Sequence, residues 1–490
     1  MAAGERYRWI TLGLLIGAQF VVVLDAAIVT VALPSIATDL RFAEQDLSWI
    51  VNAYLLTFGG FLLLGGRLAD LIGRRCIFVT GLVVFGLASL ADGLAGTPGQ
   101  LVAARAVQGL CAALLSPAAL SILTATFQSG PQRDRALGAW AAAGASGGAG
   151  GVLLGGVLTG SVGWRWVFWV NVPVAITAAA LTLCFVAEHR APQTSGHIDL
   201  AGGVSITAGL SLLVYALVSA PEHGWASAPT LACLGGAATL IVTFIVIELH
   251  TRSPLVPFSV FRRRPLTGAN LTMLIFFPGM AGMFYFVSLY LQQILGYQPL
   301  IAGLAQLPLA LGIIVSSRVA SWLATRHGVR PVLLSGLVLF TGGLVWFAQV
   351  SPSGGFVIDV LGPSLLAALG VGMVFVTLTI LAMGDTGEAE AGLTSGLINT
   401  SQQLGAALGL AVLASVAGFR TQHALTAAHS TPSAAIIALT AGYQSAFLGG
   451  AGFVLTAMVV AVLFTRPSST QYNRSRVPDP DRKQVVSRQP

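Results

Sequence analysis

The sequence has few charged residues and almost no lysine. Charged side chains make up 9% of its 490 residues, whereas soluble domains carry about 25%. Lys483 is the only lysine, which excludes a G-x-x-x-x-G-K-[ST] phosphate-binding loop and a Schiff-base lysine inside an apolar segment. With 55% hydrophobic residues and 58 glycines, the composition predicts a membrane protein with many spans. Its energy source is then an ion gradient or a partner protein.

Residues that bind metals or perform covalent chemistry are also sparse. The four cysteines are scattered, mostly within apolar runs, and the seven histidines lie in loops or near span ends. Neither type has the spacing of metal ligands, and no nucleophile–base arrangement or pair of acids is evident. We therefore expect no metal, no cofactor and no enzymatic activity. The net charge of +7 comes from basic residues scattered among short loops, so no nucleic-acid partner is expected.

Apolar runs of about 20 residues, the length that crosses a bilayer, predict an all-α polytopic membrane protein with fourteen spans. The spans lie near residues 9–33, 47–66, 76–96, 100–123, 136–160, 165–187, 199–219, 228–248, 266–292, 300–323, 331–350, 356–383, 393–419 and 443–465. The longest non-helical pieces are predicted at 420–442 and after Arg466.

Arginines in the short loops predict the orientation. An even number of spans puts both ends on one side, and nearly all loop arginines fall on that side, with Arg41, Arg165 and Arg420 as exceptions. By the positive-inside rule both termini are cytoplasmic, in the cytoplasmic membrane. A weak repeat, "LADLIGRR" at 68–75 and "LATRHGVR" at 323–330, indicates duplicated halves, an architecture that places a transport site at their interface.

Asp25 lies inside the apolar run "VVVLDAAIVTVALP", where a charge costs at least about 2.5–3.5 kcal/mol. It follows Trp9 by about 24 Å of helix, in the outer half of a core about 30 Å thick. Arg105 enters from the outer side, about 7–8 Å past Gln100. The two charges are thus predicted at similar depth, and Asp25 is the only acid expected to be deeply buried. The pair either exchanges a proton during transport or is a static ion pair that fixes helix register.

Two further stretches carry packing or switching signals, each with a plainer alternative. The inner loop "GRLADLIGRR" concentrates small and charged residues and is either a conformational latch or a solvated turn; the latch residues are Gly66, Arg67, Asp70, Gly73 and Arg74. The fifth span carries a stripe of glycines that lets a neighbouring helix approach closely; the motif comprises Gly144, Gly148, Gly151, Gly155 and Gly156.

Polar residues within spans are candidates for a substrate pocket or for interhelical hydrogen bonds. On the thirteenth span Ser395, Asn399 and Gln402 share one face, with Gln403 beside it. The pocket candidates are Asn52, Tyr54, Gln108, Asn399, Gln402 and Gln403. The stretch 273–290, rich in aromatics and methionine, is either adaptable binding surface or lipid-facing bulk.

Several of these stretches resemble motifs of the major facilitator superfamily, in particular its fourteen-helix drug:proton antiporter branch. "LDAAIVTVALP" is similar to the first-helix signature, "GRLADLIGRR" to the loop between helices two and three, and "RAVQGLCAA" to the fourth-helix motif. "WRWVFWVNVP" and "SGLINTSQQLGAALG" also resemble that branch. The matches extend over nearly the whole chain before the tail.

The resemblance implies two six-helix bundles, at 1–190 and 253–466, with two inserted helices at 191–252 and a disordered cytoplasmic tail at 467–490. It implies alternating access, with small amphipathic or aromatic compounds such as antibiotics exported in exchange for protons. The partners are then the substrate, protons and the lipid bilayer. Asp25 and Arg105 become proton-coupling residues. A proton-coupled metabolite carrier or symporter of the same fold is the alternative.

The chain departs from the family pattern at three places. Val152 stands where the fifth-helix motif usually has proline, Leu71 replaces a commonly basic residue of the inner loop, and Thr325 replaces the aspartate of its second copy. The first departure leaves the direction of transport open to the symporter alternative.

Overall fold

The structure is a computed structural model that describes residues 3–127, 131–186, 199–251, 254, 262–383, 391–427 and 432–464. The described chain is helical, and none of it forms a β-strand. The helices of its first half are α1 (Ala3–Leu40), α2 (Trp49–Ile72), α3 (Arg74–Leu94), α4 (Pro98–Thr126), α5 (Pro131–Ser161), α6 (Trp166–Trp169) and α7 (Asn171–Phe185). They are followed by α8 (Leu200–His223), α9 (Ala228–His250), α10 (Arg264–Leu289), α11 (Pro299–His327), α12 (Val329–Phe347), α13 (Gly362–Met383), α14 (Ala391–Ala427) and α15 (Pro432–Phe464).

Three short segments complete these helices. A 3₁₀ turn at Glu44–Ser48 leads into α2. A π-helical turn at Tyr290–Ile294 extends α10, and another at Phe356–Leu361 leads into α13. We call the end of the bundle where α1 begins the amino-terminal face and the opposite end, where α1 ends and α2 begins, the distal face.

The predicted polytopic helical architecture is confirmed. Within the described residues, twelve stretches are long and apolar enough to cross a membrane, with α6 and α7 forming one of them. Helices α2 and α5, of 24 and 31 residues, are not among the twelve. The total of fourteen spans therefore stays a prediction. The proposed tail at 467–490 lies outside the described residues.

The predicted loop at 420–442 is wrong. Helix α14 continues to Ala427 and α15 already begins at Pro432. The segment is rich in alanine, which favours helix even where polar residues interrupt the apolar pattern. Proline suits the first position of a helix, so it marks the start of α15 rather than a long connection. Helix α1 is likewise longer than its apolar run and continues past Pro34 to Leu40.

The two copies of the weak repeat have the same backbone turn. Gly73 ends α2 and precedes α3 with φ of 125°, and Gly328 ends α11 and precedes α12 with φ of 86°. Side-chain-bearing residues rarely adopt these angles, whereas glycine does so at little cost. The shared glycine therefore has a structural reason in both halves.

Helices α1 and α5 touch backbone to backbone along a row of glycines. A Cβ atom on Gly147 would lie 2.7 Å from the Phe20 carbonyl oxygen, and one on Gly155 would lie 2.6 Å from that of Ile28. Between them, a Cβ on Gly151 would lie 2.7 Å from the Leu24 carbonyl oxygen. The contact thus follows a four-residue row.

The predicted glycine stripe is therefore corrected at two positions. A Cβ on Gly148 would have no atom within 4 Å, and one on Gly144 would meet only Gln19, at 3.8 Å. Gly147 takes their place because the crossing of α1 and α5 follows a spacing of four residues along α5. Gly156 faces another way and lies against α11, where its Cβ would be 2.7 Å from the Pro299 carbonyl oxygen.

The contacts of α1 with α10 and of α5 with α11 lie towards the distal face. The Ser288 hydroxyl donates to the Thr30 carbonyl oxygen (2.8 Å), and Gln292 Nε2 donates to that of Val31 (3.0 Å). Gly156 of α5 also meets Gly303 of α11. These contacts join α1 to α10 and α5 to α11 at one end of the bundle.

The aromatic stretch at 273–290 is not lipid-facing bulk, and its role as an adaptable binding surface stays a prediction. Most of its side chains are buried, and they pack on aromatic rings of α12 and α15. Phe276 lies 5.2 Å from Phe340, and Phe286 lies 6.2 Å from Phe447, between ring centroids. Most of the stretch therefore packs in the interior between α10, α12 and α15.

Helix α8 packs against both α2 and α14. Gly60 of α2 lies directly against Thr207 of α8, and the Ser415 hydroxyl of α14 donates to the Leu217 carbonyl oxygen of α8 (2.8 Å). Helix α9 packs against α8.

We predict that Gly151→Ala destabilises the protein, whereas Gly148→Ala does not. The new methyl group at position 151 meets the α1 backbone and Ala27, and overpacking of this kind costs about 1–3 kcal/mol. The methyl group at position 148 meets nothing within 4 Å. Thermal unfolding of the purified variants in detergent measures the difference. Equal midpoints for the two variants would contradict the α1–α5 contact.

Candidate functional site

The Asp25 side chain on α1 is the centre of a buried polar network. It is 0% exposed, and three side chains from two other helices donate to it. Arg105 Nη1 lies 2.6 Å from Oδ2, while Gln108 Nε2 and Asn171 Nδ2 lie 2.9 and 2.6 Å from Oδ1. A buried carboxylate is stable only when its lone pairs are satisfied in this way.

Arg105 on α4 is held from several directions and is 1% exposed. Its Nε donates to the Ile50 carbonyl oxygen at 3.1 Å, and Nη1 also donates to Gln108 Oε1. The guanidinium lies over the Tyr54 ring, 4.4 Å from the centroid, where a cation–π interaction adds to the ion pair. The arginine is thereby fixed between α1 and α2.

The network reaches two more helices through neutral side chains. The Tyr54 hydroxyl on α2 donates to the Val22 carbonyl oxygen of α1 (3.2 Å). Gln108 Nε2 donates to the Ser89 hydroxyl of α3 (2.7 Å). Helices α1, α2, α3, α4 and α7 therefore meet around one carboxyl group.

The depth calculation from the sequence placed Asp25 and Arg105 at similar depth, and the structure brings the two together as an ion pair. Asn171 and Ser89 were not predicted as site residues. A signal for Asn171 was available, because it is the polar residue of "WVNVP" in a stretch that already resembled the family. Ser89 carries no comparable signal, since an isolated serine in a span has many roles.

Three of the pocket candidates lie in this network or near it. Tyr54 and Gln108 contact Arg105 directly. Asn52 is fully buried on α2, and neither atom of its amide group has a hydrogen-bond partner within the described chain. None of the three is exposed in this conformation, so a role in substrate contact stays a prediction.

The expectation of a single deeply buried acid is wrong. Asp92 on α3 is also 0% exposed, and both its carboxyl oxygens lack a hydrogen-bond partner among the residues that the structure describes. Its side chain interacts electrostatically with Arg105 and Asp25. Its place two residues before the end of α3 suggested a residue near the surface, but α6 covers this end of the helix, with Trp169 against Gly93.

The remaining pocket candidates lie on α14. Gln402 Nε2 is 3.7 Å from Met273 Sδ of α10. Gln403 packs against α2, where a Cβ atom added to Gly59 would lie 2.9 Å from the Cβ atom of Gln403. Asn399 is half-buried and forms an interaction within the protein. The Ser395 side chain lies outside the described residues.

The candidate latch is only partly described. Gly66 is half-buried near the carboxyl-terminal end of α2, and Gly73 forms the turn. Arg74 Nη1 donates to the Ser121 carbonyl oxygen of α4 at 3.3 Å. The side chains of Arg67 and Asp70 lie outside the described residues, so the latch stays a prediction.

Comparison with known proteins identifies the family. The sequence profile of the Major Facilitator Superfamily matches residues 15–410. The chain belongs to this superfamily. The cephamycin export protein CmcT of Amycolatopsis lactamdurans is 40% identical over 446 residues, which is 90% of each chain. The puromycin resistance protein pur8 of Streptomyces alboniger is 36% identical over 93% of this chain and 90% of its own.

A further relative and a solved structure agree with this assignment. The tetracenomycin C resistance and export protein of Streptomyces glaucescens is 34% identical over 84% of this chain and 76% of its own. The fold also matches an inward-facing, unoccupied crystal structure of a bacterial homologue of the human lysosomal transporter Spinster. That match has a TM-score of 0.68 and 16% identity over 94% of this chain and 99% of the other. This major facilitator protein is a multi-pass membrane transporter of small molecules.

We predict that Arg105→Met strongly destabilises this transporter and that Asp25→Leu added to it restores part of the loss. The single change leaves Asp25 as an unpaired buried charge, which costs about 3–5 kcal/mol, and the double change removes both charges. Thermal unfolding of the purified variants provides the comparison. Arg165→Met is the control, because the Arg165–Asp39 pair (2.7 Å) is about half exposed and such pairs are worth about 0–1 kcal/mol. Strictly additive effects of the two buried changes would contradict a stabilising pair.

Proposed function

We propose that this protein exports small amphipathic or aromatic compounds, antibiotics among them, across the cytoplasmic membrane in exchange for protons. The two most similar relatives described above are an antibiotic exporter and an antibiotic resistance protein, and the chain covers nine-tenths of each. The observation that carries the proton coupling is the fully buried Asp25 carboxylate, held by Arg105 and two amide donors.

Protonation of Asp25 changes the balance of forces in the first half. A neutral acid no longer attracts Arg105 as an ion does, while burial of an unpaired guanidinium is unfavourable. The helices that meet at Asp25 must then find another arrangement. A change of charge at one carboxyl group therefore acts on five helices at once.

Asp25 also lies on the helix that forms the distal contacts. Thr30 and Val31, which accept hydrogen bonds from Ser288 and Gln292, follow Asp25 by about 8–9 Å of helix. Helix α5 is in backbone contact with α1 on both sides of Asp25. This geometry supports alternating access in which protonation of Asp25 favours separation of α1 from α10 and of α5 from α11.

The orientation sets the direction of coupling. With both termini in the cytoplasm, the distal face is outside, and the present conformation is closed on that side. Protons then bind Asp25 from the outside and leave to the cytoplasm as substrate travels the other way. One proton moving across about 100 mV supplies about 2.3 kcal/mol, and each pH unit adds about 1.4 kcal/mol, enough for tens- to hundreds-fold gradients of a neutral compound.

The polar residues of α14 are the candidates for substrate contact. Gln402 and Gln403 lie where α14 packs against α10 and α2, that is, against one late and one early helix. Asn399 precedes Gln402 by one turn of the same face. An amphipathic compound entering between the halves would meet these amides together with the apolar surface around them.

We predict that Asp25→Asn abolishes efflux driven by the proton gradient. Asparagine keeps the shape and the hydrogen-bonding capacity of the neutral acid but cannot bind and release a proton. In pump-deficient bacteria, puromycin resistance should fall to that of cells without the transporter. Asp39→Asn is the matched control, since Asp39 lies on the same helix but is 47% exposed. Unchanged efflux in Asp25→Asn, or after collapse of the proton gradient, would eliminate the coupling role.

We further predict that inverted membrane vesicles accumulate labelled puromycin only when their interior is acidified. Export from the cell corresponds to uptake into such vesicles, and antiport requires protons to leave as substrate enters. Puromycin is a weak base, so uptake into vesicles without the transporter is subtracted. A symporter, the alternative that Val152 leaves open, would instead expel puromycin under the same gradient.

A further inference from the structure

We propose that Asp92 is a second proton-carrying residue, which receives protons from the distal face and passes them to Asp25. This inference rests on the proposed proton coupling through Asp25. It concerns a residue that neither the sequence pattern nor the Asp25–Arg105 pair assigns to the site. Protons then reach the buried Asp25–Arg105 pair from the distal face.

The surroundings of Asp92 favour the protonated acid in this conformation. Its carboxyl group is completely buried on α3, and neither oxygen accepts a hydrogen bond from any described residue. An ionised carboxylate without partners is far more costly in an apolar interior than the neutral acid. Asp25, by contrast, accepts from Arg105, Gln108 and Asn171 and is stable as the ion.

Polar side chains lie between the two acids, although no hydrogen bond joins Asp92 to Ser89 in this conformation. Ser89 precedes Asp92 by three residues on α3, so the two side chains lie on one helix face. The Ser89 hydroxyl accepts from Gln108 Nε2 (2.7 Å), and the same nitrogen donates to Asp25 Oδ1 (2.9 Å). Because its oxygen is the acceptor in that bond, the Ser89 hydroxyl proton is free to be donated.

Asp92 is also nearer to the distal face than Asp25. It precedes Leu94, the last residue of α3, by about 3 Å of helix, whereas Asp25 precedes the end of α1 by about 22 Å. Next to Asp92, Gly93 lies against the indole of Trp169, whose Nε1 likewise has no partner within the described chain. Buried polar groups in native proteins are normally satisfied by protein or water, so this end of the bundle is suited to admit water.

The charged groups that act on Asp92 among the described residues are Arg105 of α4 and Asp25 of α1. Among the neutral groups, Trp169 of α6 lies against Gly93, next to Asp92, and Tyr54 of α2 and Asn171 of α7 contact Arg105 and Asp25. Arg105 is therefore the one described cation available to either acid.

The transfer balances with water as the only further carrier. A water molecule beside Asp92 takes the carboxyl proton and passes one of its own to Ser89 Oγ, Ser89 releases its own hydroxyl proton to a second water molecule, and that water carries a proton to Asp25 Oδ1. Asp25 becomes the neutral acid and Asp92 the carboxylate. Arg105 then turns from the former to the latter, and a proton entering from the distal face restores Asp92.

Transport by the full-length protein in liposomes separates this role from a structural one. Wild type, Asp92→Asn, Asp92→Glu and Asp25→Asn are compared, with labelled puromycin as the probe. Counterflow at equal pH requires no net proton movement. Accumulation of substrate driven by an internal pH that is lower by one unit requires protons to leave the liposome. For one proton per substrate, that gradient supports about tenfold accumulation, after subtraction of uptake into protein-free liposomes.

We expect Asp92→Asn to retain counterflow within about twofold and to lose the roughly tenfold accumulation, and we expect Asp92→Glu to restore it. Asparagine is isosteric with the neutral acid, so a purely structural role would leave accumulation intact. Accumulation by Asp92→Asn at the wild-type level, or loss of counterflow together with accumulation, overturns the relay. If Asp25→Asn also accumulates normally, it is the proposed function that fails.

Infrared spectroscopy gives a second readout that does not depend on transport. Wild-type protein at neutral pH should show the carbonyl band of a buried protonated carboxyl group, and Asp92→Asn should lack that band. A variant that is too unstable for reconstitution can still be measured in this way in detergent. A spectrum unchanged by the substitution overturns the proposal.

Discussion

The ion pair between Asp25 and Arg105 is the constraint on which the first half of the bundle depends. Two opposite charges in an apolar interior are tolerated only if further donors and acceptors satisfy their remaining hydrogen-bonding groups. Gln108, Asn171 and the Ile50 carbonyl group provide these partners, and the Tyr54 ring lies over the guanidinium. The requirement therefore fixes the relative positions of five helices, which hydrophobic packing in lipid would leave less well defined.

Helix α1 connects this requirement to the rest of the molecule. On one side its backbone touches α5 at glycines, where any larger residue would collide with α1. Further along, its carbonyl oxygens accept hydrogen bonds from α10. Close-packed interiors transmit strain, so in the proposed mechanism the protonation of Asp25 acts along α1 on the distal contact. Coupling between distant sites requires an element of this kind with two arrangements that both sites bias.

The sequence predicted those features that depend on depth and on local backbone chemistry. Counting residues along two helices placed Asp25 and Arg105 at similar depth, and the repeat correctly indicated that Gly73 and Gly328 occupy equivalent turns. It did not predict which glycines of α5 face α1, because that depends on the angle at which the helices cross. It also missed Asp92 and Ser89, because burial near a helix end is decided by what covers that end, here α6 with Trp169.

A single arginine that acts on two buried acids limits the charge states that the first half can adopt. One guanidinium neutralises one carboxylate, so ionisation of both acids leaves an excess negative charge in an apolar interior, and protonation of both leaves an unpaired positive charge. Both states are costly, whereas the two states with one ionised acid are each neutral overall. Between those two states the negative charge moves from one acid to the other, while the net charge of the buried cluster stays the same. Under the proposed relay, Arg105 confines the proton to one of two neighbouring sites, and the conformations of α1 that suit each site are the two states between which the transporter would alternate.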